Sequence, residues 1–181
     1  DFGNAYQLES VIFRYFNAAG ADPNSNMGEN HTPETHLIPL AFDAITGKTG
    51  KLKIFGNDYP TKDGTCIRDY IHVCDLASAH VLGLDKLIKT NFKNNNCKTF
   101  IYNLGNGKGF SVKEVIKTIN LVTCKTVPIE ISKRREGDPP ILIASADKAK
   151  EELGWNPKYN NIELIIKHAW EWYCSISNSQ N

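Results

Sequence analysis

The 181-residue sequence carries almost no net charge: 21 Lys and Arg against 20 Asp and Glu leave +1, with acids and bases interspersed. Such a balance creates no basic field to attract nucleic acid, and none is expected as a partner. No apolar run approaches the roughly 18 residues that a membrane span needs, and no signal-like segment opens the chain, so no membrane association is expected. The five cysteines (Cys66, Cys74, Cys97, Cys124, Cys174) are an odd number without CxxC spacing, which points to reduced thiols in a cytoplasmic protein. His72 and His80 stand eight apart, with no HExxH and no Cys/His cluster, so a metal site is not expected. No Walker pattern is present either. The sequence opens on Asp1 rather than Met and reads as the remainder of something longer.

What is present is 41% hydrophobic and 23% charged, the composition of a globular protein. One domain is the default at this length, with two small lobes as the alternative. SVIFRYF (10–16) reads as a buried strand running into a long polar loop, and HLIPLAFDAITG (36–47) as a helix closed by Gly47. A short strand, KLKIF, and a turn-rich insert lead to IRDYIHV. Asp75 is placed to cap a helix whose Leu76, Ala79, His80, Gly83 and Leu87 share one stripe. A Lys- and Asn-rich loop over 89–98 separates it from the strand TFIYNL. Ser111 and Glu114 form the S-x-x-E capping box of a helix reaching about Val122. Strands near VPIEI and ILIAS flank a charged loop, Asp147 opens a short helix, and residues 163–173 form a last amphipathic one. Strands alternating with helices give an α/β fold class.

Three features bear on chemistry. Gly105, Gly107 and Gly109 follow a strand and precede a helix, where a dinucleotide fingerprint would sit, but Phe110 breaks the G-x-G-x-x-G spacing and a structural turn is the better reading. Trp155, Trp170 and Trp172 read as packing residues rather than a stacking platform, and His80 as a hydrogen-bonded core residue. The loop KRREGDPP (133–140) is different. Gly137, Pro139 and Pro140 restrict its backbone, which a merely solvated loop would not require. An arginine fork matches phosphate oxygens, and a carboxylate three residues on can take ribose hydroxyls, so Arg135 and Asp138 suit a nucleotide. Arg68 is the candidate second arginine of a diphosphate clamp.

RYFNAAGAD, PETHLIPL, IFGNDYPTKDGTCIRDYIHVCDLA, YNLGNGKGFSVKE, KRREGDPP and ADKAKEELGW occur in an order that resembles the UDP-glucose (UDP-galactose) 4-epimerases, members of the extended short-chain dehydrogenase/reductase superfamily. The likeness runs from about residue 5 to 173 and covers only that family's carboxyl-terminal half. It implies that residues 1–20 are the last part of a Rossmann-type NAD-binding domain. Residues 21–181 would mainly form a smaller α/β UDP-sugar-binding domain, with segments around 67–110 packing back on the NAD-binding core. It implies NAD as cofactor, beside Tyr15 and Phe16. It implies UDP-glucose and UDP-galactose as substrates, contacted by Asn17, His36 and Leu37, with His36 standing where some members have Asn and so touching the sugar through its main chain. Lys53, Ile54 and Phe55 would line the uracil pocket, Arg68 and Arg135 would hold the diphosphate, Asp138 the ribose, and Leu142 would sit beside the sugar. A leucine there, between the bulky and the small residues other members carry, implies good handling of the two hexoses and poorer handling of N-acetylated ones.

The family's reaction passes a hydride from the sugar C4 to NAD and back to the other face of a 4-keto sugar, using a tyrosine base with a lysine four residues later. None of the seven tyrosines here has that lysine, and the G-x-x-G-x-x-G loop is missing, so no catalytic residue is assigned in this chain. The expectation is therefore the substrate half of an epimerase, inactive alone and completed by an amino-terminal half of the same polypeptide, with a homodimer implied by the family. Another dehydratase, decarboxylase or epimerase of the superfamily, or a noncatalytic nucleotide-sugar module, stays open at this point.

Overall fold

The computed structural model describes residues 1–90 and 99–178. Most of the expected loop at 89–98, with Cys97, lies outside them.

A short helix α1 (Phe2–Tyr6) precedes β1 (Ser10–Tyr15), which pairs in parallel with β5 (Thr99–Leu104), Ile12 opposite Ile101 and Phe13 opposite Tyr102. Side chains alternate across a strand, so Val11, Phe13, Tyr102 and Leu104 share one face and Ile12 and Ile101 the other. The first face packs under α3 (Val73–Lys89) and α5 (Asp147–Leu153), with Ile71, Leu76, Ala79, Tyr102, Leu104 and Trp155 as its core. On the second face Ile12 stays 44% and Ile101 39% exposed. The expected strand is there, but it is not buried on both sides.

The second unit is built from α2 (Leu37–Thr46), α4 (Val112–Thr123) and α6 (Ile162–Asn178) around β3 (Leu52–Phe55), which pairs in parallel with β7 (Ile129–Ser132). Phe42, Ile54, Val115, Ile119, Ile165 and Ile166 fill its core at 0–1% exposure. Local chemistry sets the helix ends. Gly47 closes α2 in the left-handed region, and both halves of the Ser111–Glu114 capping box are formed at the start of α4.

Between the units runs β4 (Ile67–His72). Its first half pairs with β6 (Gly109–Ser111) and β8 (Ile141–Leu142), and its second half with β2 (Asn17–Ala19). Neither β2 nor β6 was expected: each is three residues long and owes its conformation to a distant partner strand rather than to its own sequence.

Two further expectations are corrected. Asp75 does not cap α3; His72 does, its ring accepting from the Cys74 amide at 3.0 Å. The buried Asp75 carboxylate instead accepts from the Lys158 and Tyr159 amides at 2.8 and 2.9 Å, fastening the segment after α5. His80 does bond the Leu76 carbonyl at 2.8 Å and packs at a tilt against Phe13, but it is exposed, because nothing among the described residues covers that end of the β1–β5 sheet. The tryptophans pack as expected: Trp155 is 1% exposed and donates to the Asp75 carbonyl, while Trp172 donates to the Glu29 carbonyl. Cys66, Cys74, Cys124 and Cys174 are free thiols. Among the described residues no helix is long and apolar enough to cross a membrane.

Candidate functional site

Two neighbouring places gather most of the sequence candidates. The first is a cavity of about 760 Å³ whose wall includes Tyr15, Phe16, Asn17, His36, Leu37 and Tyr70. β1 and β2 supply the first three, and the start of α2 supplies His36 and Leu37. The Asn17 amide donates to the Asp69 carbonyl at 2.8 Å, which holds β2 against β4 and presents Phe16 and Asn17 side by side. Tyr70 is 5% exposed, and that burial holds its phenol well above the usual range. The His36 ring faces Glu29, with which it is hydrogen-bonded, and lies 3.4 Å from Glu34.

The second place lies two residues back along β4. Arg68 there faces Leu142 of β8 in register and makes a charge-assisted hydrogen bond to Asp138, across 70 positions of sequence. Both side chains are largely covered, at 12% and 24% exposure, so the pair is more than a solvated surface contact. The loop 133–140 is anchored at several points. Arg134 donates to the Asp58 carboxylate at 2.7 Å and covers the Tyr59 ring at 4.2 Å; that hydrogen bond, more than the accompanying charge attraction, holds the Asp58 carboxyl below the usual range. Arg135 covers the Phe55 ring at 4.1 Å. Gly137 turns the chain at φ 73°, a conformation that side chains rarely adopt, and the Pro140 carbonyl then accepts from the Ile67 amide at 2.8 Å. Burial of Tyr59, with the Asp138 charge nearby, raises its phenol pKa.

Arg68, Arg135, Asp138, Phe55 and Leu142 are thus brought together by one loop and three strands. Lys53 and Ile54 are not part of this group as side chains. Lys53 turns to Glu130 on β7 at 3.7 Å, and Ile54 is 1% exposed in the helical core, so β3 offers the site only its backbone there. The sequence reading missed Arg134, which docks the loop; its partner Asp58 stands 76 positions away, so nothing local marks the contact.

The glycine stretch is settled by a carboxylate. Asp69, fully buried, accepts from the amides of Asn106, Gly107 and Ala144 at 2.9, 3.0 and 3.2 Å. Two of the amides a phosphate would use are therefore taken, and a Cβ on Gly105 would lie 2.6 Å from the Asp69 carboxylate. This is a structural turn.

Comparisons with known proteins agree with this fold. The family model described as GDP-mannose 4,6 dehydratase matches residues 1–168. A UDP-glucose 4-epimerase of Halalkalibacterium halodurans is 53% identical over 169 residues, 93% of this chain and 49% of that protein. A crystal structure of a UDP-glucose 4-epimerase superposes with a TM-score of 0.89 at 51% identity, covering 98% of this chain and 52% of the other. The Bifidobacterium longum UDP-glucose 4-epimerase, solved with NAD+ and UDP, gives 0.86 at 34% identity, covering 98% of this chain and 51% of the other. The chain spans about half the length of the curated relatives it matches. It belongs to the GDP-mannose 4,6-dehydratase family, and what it resembles within that family is the carboxyl-terminal half of the UDP-glucose 4-epimerases, enzymes of the extended short-chain dehydrogenase/reductase type.

Proposed function

We propose that this chain is the UDP-sugar-binding half of an NAD-dependent isomerase that interconverts UDP-glucose and UDP-galactose. The observation that carries this reading is the Arg68–Asp138 pair set beside Arg135 on the Phe55 ring. Arg68 and Arg135 neutralise the diphosphate, Asp138 orients Arg68 and accepts from the ribose, and Phe55 with the β3 backbone flanks the uracil. Leu142, in register with Arg68, borders the sugar and limits room for an N-acetyl group.

The hexose then enters the cavity of Asn17, Leu37 and Tyr70. Because Glu29 engages the His36 ring, the substrate contact of His36 falls to its main chain. Tyr15 and Phe16 give that cavity an aromatic wall that would hold a nicotinamide ring, and NAD bound there would supply the hydride chemistry at C4. This chain grips the nucleotide through charge and leaves the hexose among mostly apolar walls, an arrangement that lets the sugar turn between the two transfers while UDP keeps it in place.

The bare face of the β1–β5 sheet, with the exposed Val81, Leu84 and Ile88 of α3, supports assigning residues 1–20 and parts of 67–110 to a shared NAD-binding core, completed by an amino-terminal half that brings the Tyr-x-x-x-Lys pair. Alone, the chain is inactive. Free thiols fit the cytoplasm, and a homodimer follows from the family likeness.

Calorimetric titration with UDP tests the reading. Binding that Arg68→Ala weakens about 10- to 150-fold, the loss of one charge-assisted bond, is expected. No UDP binding, together with no epimerase activity once the chain is joined to its native upstream sequence, would overturn it.

A further inference from the structure

Where the sequence led us to expect no metal, the segment between β2 and α2 folds four metal-ligating side chains onto one spot. Glu29, His31, Glu34 and His36 each present a ligand atom, and all four atoms lie within 4.8 Å of one another. The Nδ1 atoms of His36 and His31 are 3.4 and 3.9 Å from the same Glu34 oxygen, and the His36 ring also touches Glu29. In a tetrahedral zinc site with bonds of about 2.0 to 2.1 Å, ligand atoms stand about 3.3 Å apart. The spacings in the cluster, none above 4.8 Å, bracket that value.

Charge argues the same way. Among the described residues neither carboxylate has a lysine or arginine partner; their ionic contacts are the two imidazoles alone. With neutral rings the group carries two negative charges, which one divalent cation cancels. Two imidazoles and two carboxylates suit a borderline ion such as Zn²⁺ better than Ca²⁺ or Mg²⁺, which favour all-oxygen shells.

The ligands are also held in place. The Glu29 carbonyl accepts from the Trp172 indole at 2.9 Å, tying that end of the segment to α6. Glu34 accepts from the amides of Thr35 and His36 at 2.6 and 2.7 Å, and His36 is the residue on which α2 begins. Glu29 and His36 both belong to the wall of the 760 Å³ cavity.

We propose that Glu29, His31, Glu34 and His36 form a site for a divalent transition metal ion, Zn²⁺ by its donor set, which clamps the segment 29–36 to the start of α2. The ion is structural and sets one wall of the cavity without entering its chemistry. It stands independently of the nucleotide-sugar reading.

The test uses the complete polypeptide, stripped with a chelator and returned to metal-free buffer, with Co²⁺ as an optical probe and Zn²⁺ as its competitor. One Co²⁺ per chain, with the intense visible bands of four-coordinate cobalt and displacement by Zn²⁺, is expected. Loss of outer-shell partners alone typically costs about 10- to 100-fold in metal affinity, so His31→Ala and Glu34→Gln should each cost at least about 100-fold. His31 is exposed and lies outside the cavity wall, so its variant should keep the parent's circular dichroism and UDP affinity. Zn²⁺ should raise the unfolding midpoint of the parent and leave that of His31→Ala unmoved. A pale six-coordinate spectrum, no cobalt uptake up to millimolar concentration, or equal affinity in parent and both variants would overturn the proposal.

Discussion

The two hydrophobic clusters make an instructive pair. In the α2–α4–α6 unit every large core residue has neighbours on all sides, and Phe42, Ile165 and Ile166 are almost fully buried. The β1–β5 unit is packed just as well on one face, where Tyr102 and Trp155 are sealed, and is bare on the other. Parallel strands are ordinarily covered on both faces, and under the proposed function the bare face is the surface that the amino-terminal half would cover. The residues that would grip a nucleotide sit on the finished unit and at the seam, and those that would meet the cofactor sit at the rim of the unfinished one.

The largest effect that tests this contrast is on stability. Phe42→Ala should cost about 3 to 5 kcal/mol, as large-to-small changes in sealed cores do, read by urea unfolding. A loss below about 1 kcal/mol would mean that the helical unit is not the stable half. Next comes acidification of the seam. His72 is fully buried beneath Tyr159, 3.0 Å from the His168 ring, and burial, with the His168 charge adding, lowers its pKa to about 4; burial lowers His168 as well. The unfolded chain takes up a proton at about 6.5 and the folded one resists, so the folded state is unaffected above that pH and loses stability as pH falls from about 6.5 towards 4. The expected loss is about 2 to 3 kcal/mol, and His72→Gln should flatten the pH slope; an unchanged slope in that variant would clear His72 of the effect. The smallest effect belongs to the bare face. Ile12→Lys should shift the stability of this chain by about 0.5 kcal/mol or less, as exposed substitutions usually do. In the chain joined to its upstream half the same change should prevent the sheet from closing, seen as lost NAD binding; equal tolerance in both settings would break the contrast.

What the sequence revealed follows the range of the interactions involved. The Ser111–Glu114 box, the Gly47 stop and the helix at Asp147 are written within four residues and are found where expected. β2 and β6 depend on a partner strand 40 to 53 positions away and left no local mark. Arg135 and Asp138 stood out because a charged loop stiffened by two prolines is chemically unusual, and their convergence with Arg68 did not, because it is made by the β4–β8 register. His36 was given a substrate contact through its main chain, and the structure turns its ring to Glu29. The spacing E-x-H-x-x-E-x-H over 29–36 is local in sequence but matches no common metal motif.

β4 has a consequence for ligand choice. Arg68 and Tyr70 stand on one unbroken strand, about 6.6 Å apart at 3.3 Å per residue, and the strand is clamped by β8 and β6 at one end and β2 at the other. Such a strand cannot stretch. Under the proposed function it works as a ruler, measuring the ligand between its charged middle and its sugar, so that a molecule one phosphate shorter meets either the arginine or the cavity and not both.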